Sequence, residues 1–208
     1  MAADLVVFDL GNVLIRWDPV PAVAARVGEE RARAFVADPD FDFGGWNHEQ
    51  DAGRGWDEAE RVALAAFAHY ADEIPAYRAN FAASLVGEIE GSVAIVRELH
   101  AAGVPLVALT NWSAELFGHA LERFDVLGAF DDIVVSGAEG LAKPDPRIFD
   151  VLATRVGRSL DGVVFVDDLP RNIEAAARAG MDAIRFTDPE ALRRDLVARG
   201  LPLAPVSG

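Results

Sequence analysis

Two short apolar runs that stop at acids constrain this chain more than any other feature. Residues 6–8 (VVF) run into Asp9, and residues 163–166 (VVFV) run into Asp167 and Asp168. Runs of this kind read as strands buried on both faces. Gly11 and Asn12 break the first run directly behind its acid. A carboxylate at the end of a buried strand is costly unless it is paired, hydrogen-bonded or bound to metal. In an open parallel sheet, that end of the strand is also where ligands bind.

The rest of the chain alternates. Strands are predicted over 5–8, 105–109, 133–135, 163–166 and 183–186. Helices are predicted over 92–102, closed by Gly103, and over 113–124, capped by Ser113. Three more follow over 147–156, 171–179 (closed by Gly180) and 189–199. Alternation of this kind implies βαβ units, so the expected fold is α/β, a doubly wound parallel sheet. Residues 17–86 carry little strand signal. There the pattern predicts a helix over 21–38, a loop or broken helix over 39–56, a helix over 57–70 with Asp57 as N-cap, and another over 75–85. The expected organisation is a core of residues 1–16 and 87–208 with an all-helical insert over 17–86. The tail over 201–208 is expected to be loosely held.

With 208 residues, 51% of them apolar, the chain can bury one sizeable core. No apolar run approaches the length of a membrane span. The start, MAAD running straight into a strand, predicts no signal peptide. The absence of cysteine excludes thiolate metal sites and disulfides, and fits a cytoplasmic protein. A net charge of −15 argues against nucleic acid as a partner. A small phosphorylated substrate then needs local cations or a metal. Monomer and homodimer both stay open.

Four strand ends or the loops behind them carry polar groups: Asp9, Thr110 with Asn111, Lys143, and Asp167 with Asp168. Parallel strands would bring these to one sheet edge. Carboxylates gathered there repel one another, and a hard cation such as Mg²⁺ relieves that repulsion through oxygen ligands. Lys143 adds a fixed positive charge and Thr110 a hydroxyl donor. Such a site suits an anionic substrate beside a metal, with a carboxylate as nucleophile.

These stretches resemble the motifs of the haloacid dehalogenase (HAD) superfamily of hydrolases. FDLGNVL resembles the first motif, ALTN the second, LAKPDPRIF the third and VVFVDDLPRNIEAAARAGM the fourth. The resemblance covers nearly all of residues 4–187, and the insert resembles a four-helix cap closing over the active site. It implies a Rossmann-like core and a Mg²⁺-dependent phosphatase acting on a small phosphorylated metabolite, a sugar phosphate among the candidates. Asp9 would be the nucleophile, forming an aspartyl-phosphate. Mg²⁺ would meet Asp9, the Gly11 carbonyl and Asp168, with Asp167 behind. Thr110, Asn111 and Lys143 would bind and orient the phosphoryl group, and Asn172 would support the acidic pair.

The sequence departs from the pattern at one place. Phosphatases of this superfamily usually carry an aspartate two residues after the nucleophile as general acid/base, and here that position is Gly11. Losing such a group forfeits on the order of 10²–10⁴ in rate. Two alternatives follow: a metal-independent 2-haloacid dehalogenase using Asp9, or a ligand-binding protein with impaired catalysis. The paired acids at 167 and 168 favour the metal-dependent phosphatase. In the insert, Trp46 and His48 are candidate substrate contacts beside Asn47 and Glu49. Arg16, Trp17 and Trp112 are candidates for hinge or pocket positions. His69, His100 and His119 are expected to pack or face solvent, and the acids over 125–132 to be solvated.

Overall fold

The computed structural model describes residues 4–204. The chain runs from β1 (Val6–Phe8) to β2 (Ile15–Trp17) and then through five helices. These are α1 (Val20–Val27), α2 (Glu29–Val36), α3 (Phe43–Asp51), α4 (Trp56–Ala66) and α5 (Glu73–Ala79). Next come β3 (Leu85–Glu88), α6 (Glu90–Ala101), β4 (Leu106–Thr110), α7 (Gly118–Arg123), β5 (Asp132–Val135) and α8 (Ser136–Glu139). The chain closes with α9 (Pro146–Val156), β6 (Val164–Asp167), α10 (Pro170–Arg178), β7 (Asp182–Arg185) and α11 (Pro189–Ala198).

Five strands form one sheet in the order β5-β4-β1-β6-β7, every pairing parallel. The doubly wound α/β expectation holds. Side chains alternate across it with the period of two that a pleated strand dictates. Val6, Phe8, Leu106, Ala108, Val164 and Val166 face one apolar cluster, and Val7, Val107, Leu109 and Phe165 face the other. The first cluster continues without a break into the aromatic residues of the insert, Phe35, Phe41, Phe43, Trp56 and Tyr77. The order of crossovers puts β1 between β4 and β6, at the position where the sheet changes direction. The C-terminal end of β1 therefore opens into the crevice where α/β sheets hold ligands.

The insert is not all-helical. β2 and β3 pair antiparallel, with Ile15 opposite Glu88, Arg16 opposite Gly87 and Trp17 opposite Leu85. The expected boundaries at 16/17 and 86/87 fall inside these two strands. Strands of three and four residues are too short to show an alternating pattern. They are held by other contacts: the Trp17 N–H donates to Asn12 Oδ1 (3.1 Å) and Arg16 Nη1 to the Glu88 carbonyl (2.9 Å). The helix expected over 21–38 breaks at Gly28, whose φ of 83° ends α1 and starts α2. The helix expected over 57–70 begins at Trp56 with Gly55 as its N-cap, and Asp57 instead pairs with Arg78 (2.6 Å). The helix expected over 75–85 stops at Ala79, before a 3₁₀ turn (Phe81–Ser84) and β3.

Three further expectations change. Ser113 caps no helix: its hydroxyl accepts from Trp56 Nε1 (2.8 Å), and α7 begins only at Gly118. Asp131 and Asp132 are not simply solvated. Asp131 accepts from the Leu106 N–H (3.0 Å), and Asp132 takes Arg155 Nη2 at 2.6 Å. Leu201 and Leu203 are buried, so the start of the tail is packed, while residues 205–208, like residues 1–3 of the MAAD start, lie outside the described residues. Among the described residues, no helix is long and apolar enough to cross a membrane.

Candidate active site

The site is built around one buried cation. Lys143, on the loop between α8 and α9, is 0% exposed. Its Nζ donates to the Leu109 carbonyl at the end of β4 (2.7 Å) and to Asp167 Oδ2 at the end of β6 (2.8 Å), and lies 3.0 Å from Asp9 Oδ1 behind β1. An ammonium has three donors, and three acceptors from three neighbouring strands meet them. Burial pulls Lys143 down, but the Asp9 and Asp167 carboxylates outweigh it and raise it above its ordinary value. The backbone of Lys143 is fixed as well. Asn111 accepts from its N–H and donates to its carbonyl, both at 2.8 Å.

Around that cation the three acids differ in freedom. Asp167 is 0% exposed, and both its oxygens are engaged. Asn172 Nδ2 lies 3.0 Å from each, the Leu169 N–H donates to Oδ1 (2.8 Å), and Lys143 holds Oδ2. Asp9, 7% exposed, accepts the Leu10 N–H on Oδ1 (2.8 Å) beside Lys143, and among the described residues its Oδ2 accepts no hydrogen bond. Asp168 is half-buried. Asp9, Asp167 and Asp168 each offer a carboxylate oxygen within 4.8 Å of the others. Burial pushes the Asp9 carboxyl up to about 7 despite Lys143, and Asp167 and Asp168 add repulsion. Asp168 is raised too, first by burial and then by Asp167. One ammonium thus leaves negative charge uncompensated, and a divalent cation fits that donor set.

Above these groups lies a cavity of about 260 Å³. Asp9, Gly11, Asn12, Asp168, Arg171 and Asn172 form its floor. Asn111, Trp112, Ser113 and Leu116 form one side, and Trp17, Gly44, Asn47, His48, Asp51, Trp56, Tyr77 and Phe81 come from the insert. Trp17 Nε1 donates to the Tyr77 hydroxyl (3.2 Å), which fixes part of that aromatic wall. Burial and the Arg171 charge lower His48.

The predicted residues thus meet, but not all as expected. Lys143 and Thr110 lie beneath the cavity lining rather than on it, and the Thr110 hydroxyl is buried with no hydrogen-bond partner among the described residues. Asn111 lines the cavity, yet its amide is committed to Lys143. Trp46 is not on the lining. It packs against Phe41, Phe43 and Trp56 with ring centroids 5.4, 5.7 and 5.4 Å away, because a neighbouring aromatic cluster takes it up. His48, Asn47, Trp17 and Trp112 do line it, whereas Glu49 and His100 face solvent and Arg16 clamps the ribbon. His69 stacks by Tyr70 and His119 by Phe81. The sequence reading passed over Asp51 and Arg171. Asp51 belongs to no motif and its setting comes from distant segments, whereas Arg171 stands inside the fourth motif at a position to which no role was attached.

Among the described residues, the Asn172 amide is the one side chain that bonds both oxygens of Asp167. Asn172→Ala is expected to destabilise the fold by about 1–3 kcal/mol, since it removes donors from a buried charge. Denaturant unfolding checks this, and an unchanged midpoint would show the amide to be dispensable.

Comparison with known proteins points one way. A profile described as haloacid dehalogenase-like hydrolase matches residues 3–180. A sesquiterpene phosphatase of Aspergillus oryzae is 33% identical over 94 residues, 45% of this chain and 48% of that one. A phosphatase of Mycobacterium tuberculosis is 34% identical over 107 residues, 51% of this chain and 49% of that one. The chain thus aligns with just under half the length of these two relatives. Among solved structures, a HAD family enzyme of Bacteroides thetaiotaomicron in complex with magnesium and inorganic phosphate superposes with a TM-score of 0.69 at 18% identity. The match covers 89% of this chain and 95% of that one. A 2-haloacid dehalogenase of Pseudomonas syringae gives 0.59 at 21% identity, over 95% and 99%. At such identities the two structures speak for the fold alone.

Proposed function

This chain belongs to the haloacid dehalogenase-like hydrolases, and from that premise we propose that it is a Mg²⁺-dependent phosphatase of a small phosphorylated metabolite. The observation that carries the reading is the trio Asp9, Asp167 and Asp168, with oxygens within 4.8 Å, Lys143 paired to two of them and the Arg171 charge acting on the third. Asp9, Asp168 and the Gly11 carbonyl would hold the metal directly, with Asp167 behind them. Asp167 is the weaker ligand because its oxygens already serve Lys143, Asn172 and the Leu169 N–H. Bound there, Mg²⁺ supplies charge neutralisation to the acids and to the phosphate oxygens.

The residues of the chain do the rest. Leu10 and Lys143 fix Asp9 by its Oδ1, which leaves Oδ2 to attack phosphorus in line and form an aspartyl-phosphate. Lys143 orients this carboxylate rather than reaching the substrate, since its three donors are engaged. The Thr110 hydroxyl, buried just beneath the lining and without a partner among the described residues, is the group we assign to meet a phosphoryl oxygen once substrate settles at the strand ends. Water then cleaves the aspartyl-phosphate. The aromatic wall of Trp17, Trp56, Tyr77 and Phe81 keeps bulk water away and gives the substrate's carbon frame an apolar face.

The test is phosphate release from a panel of phosphorylated metabolites, with Mg²⁺ and with chelator. Chelator is expected to abolish turnover. Mg²⁺ at about 100 times its Kd is expected to stabilise the wild type by about 2.7 kcal/mol, and Asp168→Asn to lose most of that shift. Gly11, which offers no carboxyl, keeps the dehalogenase reading as the competitor. Halide release from 2-haloacids in chelator, with no phosphate release in Mg²⁺, would establish that reading instead.

A further inference from the structure

Gly11 leaves the floor of the cavity without a side-chain acid to protonate a departing alkoxide. A Cβ built on Gly11 would meet nothing within 4 Å, so no neighbouring group has filled the space. In-line displacement puts the leaving oxygen on the far side of phosphorus from Asp9. That side is the wall supplied by the insert. Among the described residues lining the cavity, the acids are Asp9 and Asp168 on the floor and Asp51 on that wall.

Asp51 is the last residue of α3, and it is anchored to the core rather than left on a free helix end. Its carbonyl accepts from Ser136 Oγ (2.5 Å), and the same hydroxyl accepts from the Trp112 N–H (2.9 Å). Asn47 Nδ2 donates to Asp51 Oδ2 (3.2 Å). Two residues on, Gly53 sits against α8 so closely that a Cβ would lie 3.0 Å from Gly140 Cα. The carboxyl is therefore fixed relative to the β-strand ends that carry Asp9.

We propose that Asp51 is the general acid and base of this site, reaching from the insert to do the work that Gly11 cannot. The inference rests on the phosphatase reading above. Burial pushes the Asp51 carboxyl up to about 7, with a Ser113 backbone hydrogen bond and the Lys143 charge opposing it. Tyr77 faces it as a neutral phenol, and Arg171, His48, Asp9 and Asp168 share the cavity. A carboxyl so poised holds a proton to give at neutral pH and can take one back. His48 is lowered, first by burial, and has no such proton to give.

The steps balance. Asp9 Oδ2 bonds to phosphorus as the ester P–O bond breaks, and the leaving oxygen takes the Asp51 proton to depart as an alcohol. Water then attacks phosphorus, the bond to Asp9 breaks, and the water's proton passes to the Asp51 carboxylate. Inorganic phosphate leaves and both acids are restored.

The test uses two esters that differ in need for a proton. The oxygen of p-nitrophenyl phosphate leaves readily as an anion, whereas that of glycerol phosphate leaves only once protonated. With Mg²⁺ present, Asp51→Asn is expected to lower kcat on glycerol phosphate by about 10²–10⁴-fold. The loss on p-nitrophenyl phosphate is expected to be at least about tenfold smaller, and Asp51→Glu to recover part of the alkyl-ester rate. Equal losses on both esters, or no loss on either, would overturn the role of Asp51 and leave the phosphatase reading standing. A wild type inert towards both esters would overturn that reading, and this inference with it.

Discussion

Asp9→Asn is expected to lower phosphate release by on the order of 10⁴-fold or more, because it removes the atom that forms the covalent intermediate. The same change is expected to relieve the metal-free fold at alkaline pH. Burial raises the Asp9 carboxyl from 3.8 to about 7. The folded chain therefore keeps a proton that the unfolded chain gives up across that window. The stability contribution of this group falls as pH rises from about 4 to 7. Asparagine has no charge to bury, so in chelator at pH 8 the variant is expected to unfold at a denaturant midpoint no lower than wild type. Kinetics and unfolding on one preparation check both halves. Retained turnover, or a variant less stable than wild type at pH 8, would remove Asp9 from the role assigned to it.

Lys143→Met is expected to be the most damaging single change to stability. It strips the ammonium from between Asp9 and Asp167 and leaves the Leu109 carbonyl without its donor. Breaking a buried pair by removing one partner costs about 3–5 kcal/mol. Lys143 is raised in the folded state, so its contribution is complete below the unfolded value of 10.5 and is lost only as pH rises through the folded one. Lys143 itself does not titrate in the neutral range, but Asp9 does. Without the ammonium the Asp9 carboxyl is pushed further up, so the deficit is expected to widen as pH rises through about 7. Mg²⁺ is expected to restore part of it by replacing the missing positive charge. Urea unfolding at pH 6, 7 and 8, with and without Mg²⁺, checks this. A variant within about 0.5 kcal/mol of wild type would show that the acids do not depend on this cation.

The sheet and its acidic edge were legible because they rest on local signals. Apolar runs stopping at Asp9 and Asp167 mark strand ends wherever the strands later pair, and parallel winding alone brings those ends together. The insert was less legible because its structure rests on distant partners. Ser113 looks like a helix cap until Trp56, 57 residues away, takes its hydroxyl. Trp46 looks like a pocket residue until Phe41 and Phe43 enclose it. Asp51 has no marker in its own neighbourhood. Its setting comes from Asn47 on the preceding turn, from Ser113 and Ser136 in the core, and from the charge of Lys143. Lys143 was found by its motif, but sequence could not show that its three donors turn inward to the protein.

The ribbon of β2 and β3 bears on how a chain of this kind can change through descent. It closes a long excursion with its two ends side by side, Trp17 opposite Leu85. Duplication, deletion or exchange of the stretch between them alters the roof of the cavity while the register of β1 with β4 and β6 is untouched. New selectivity can then be acquired as one contiguous piece of gene, with the reactive edge inherited intact. If Asp51 is the proton donor, that freedom is curtailed in this lineage. The roof would carry part of the reaction, and any replacement would have to bring an acid of its own.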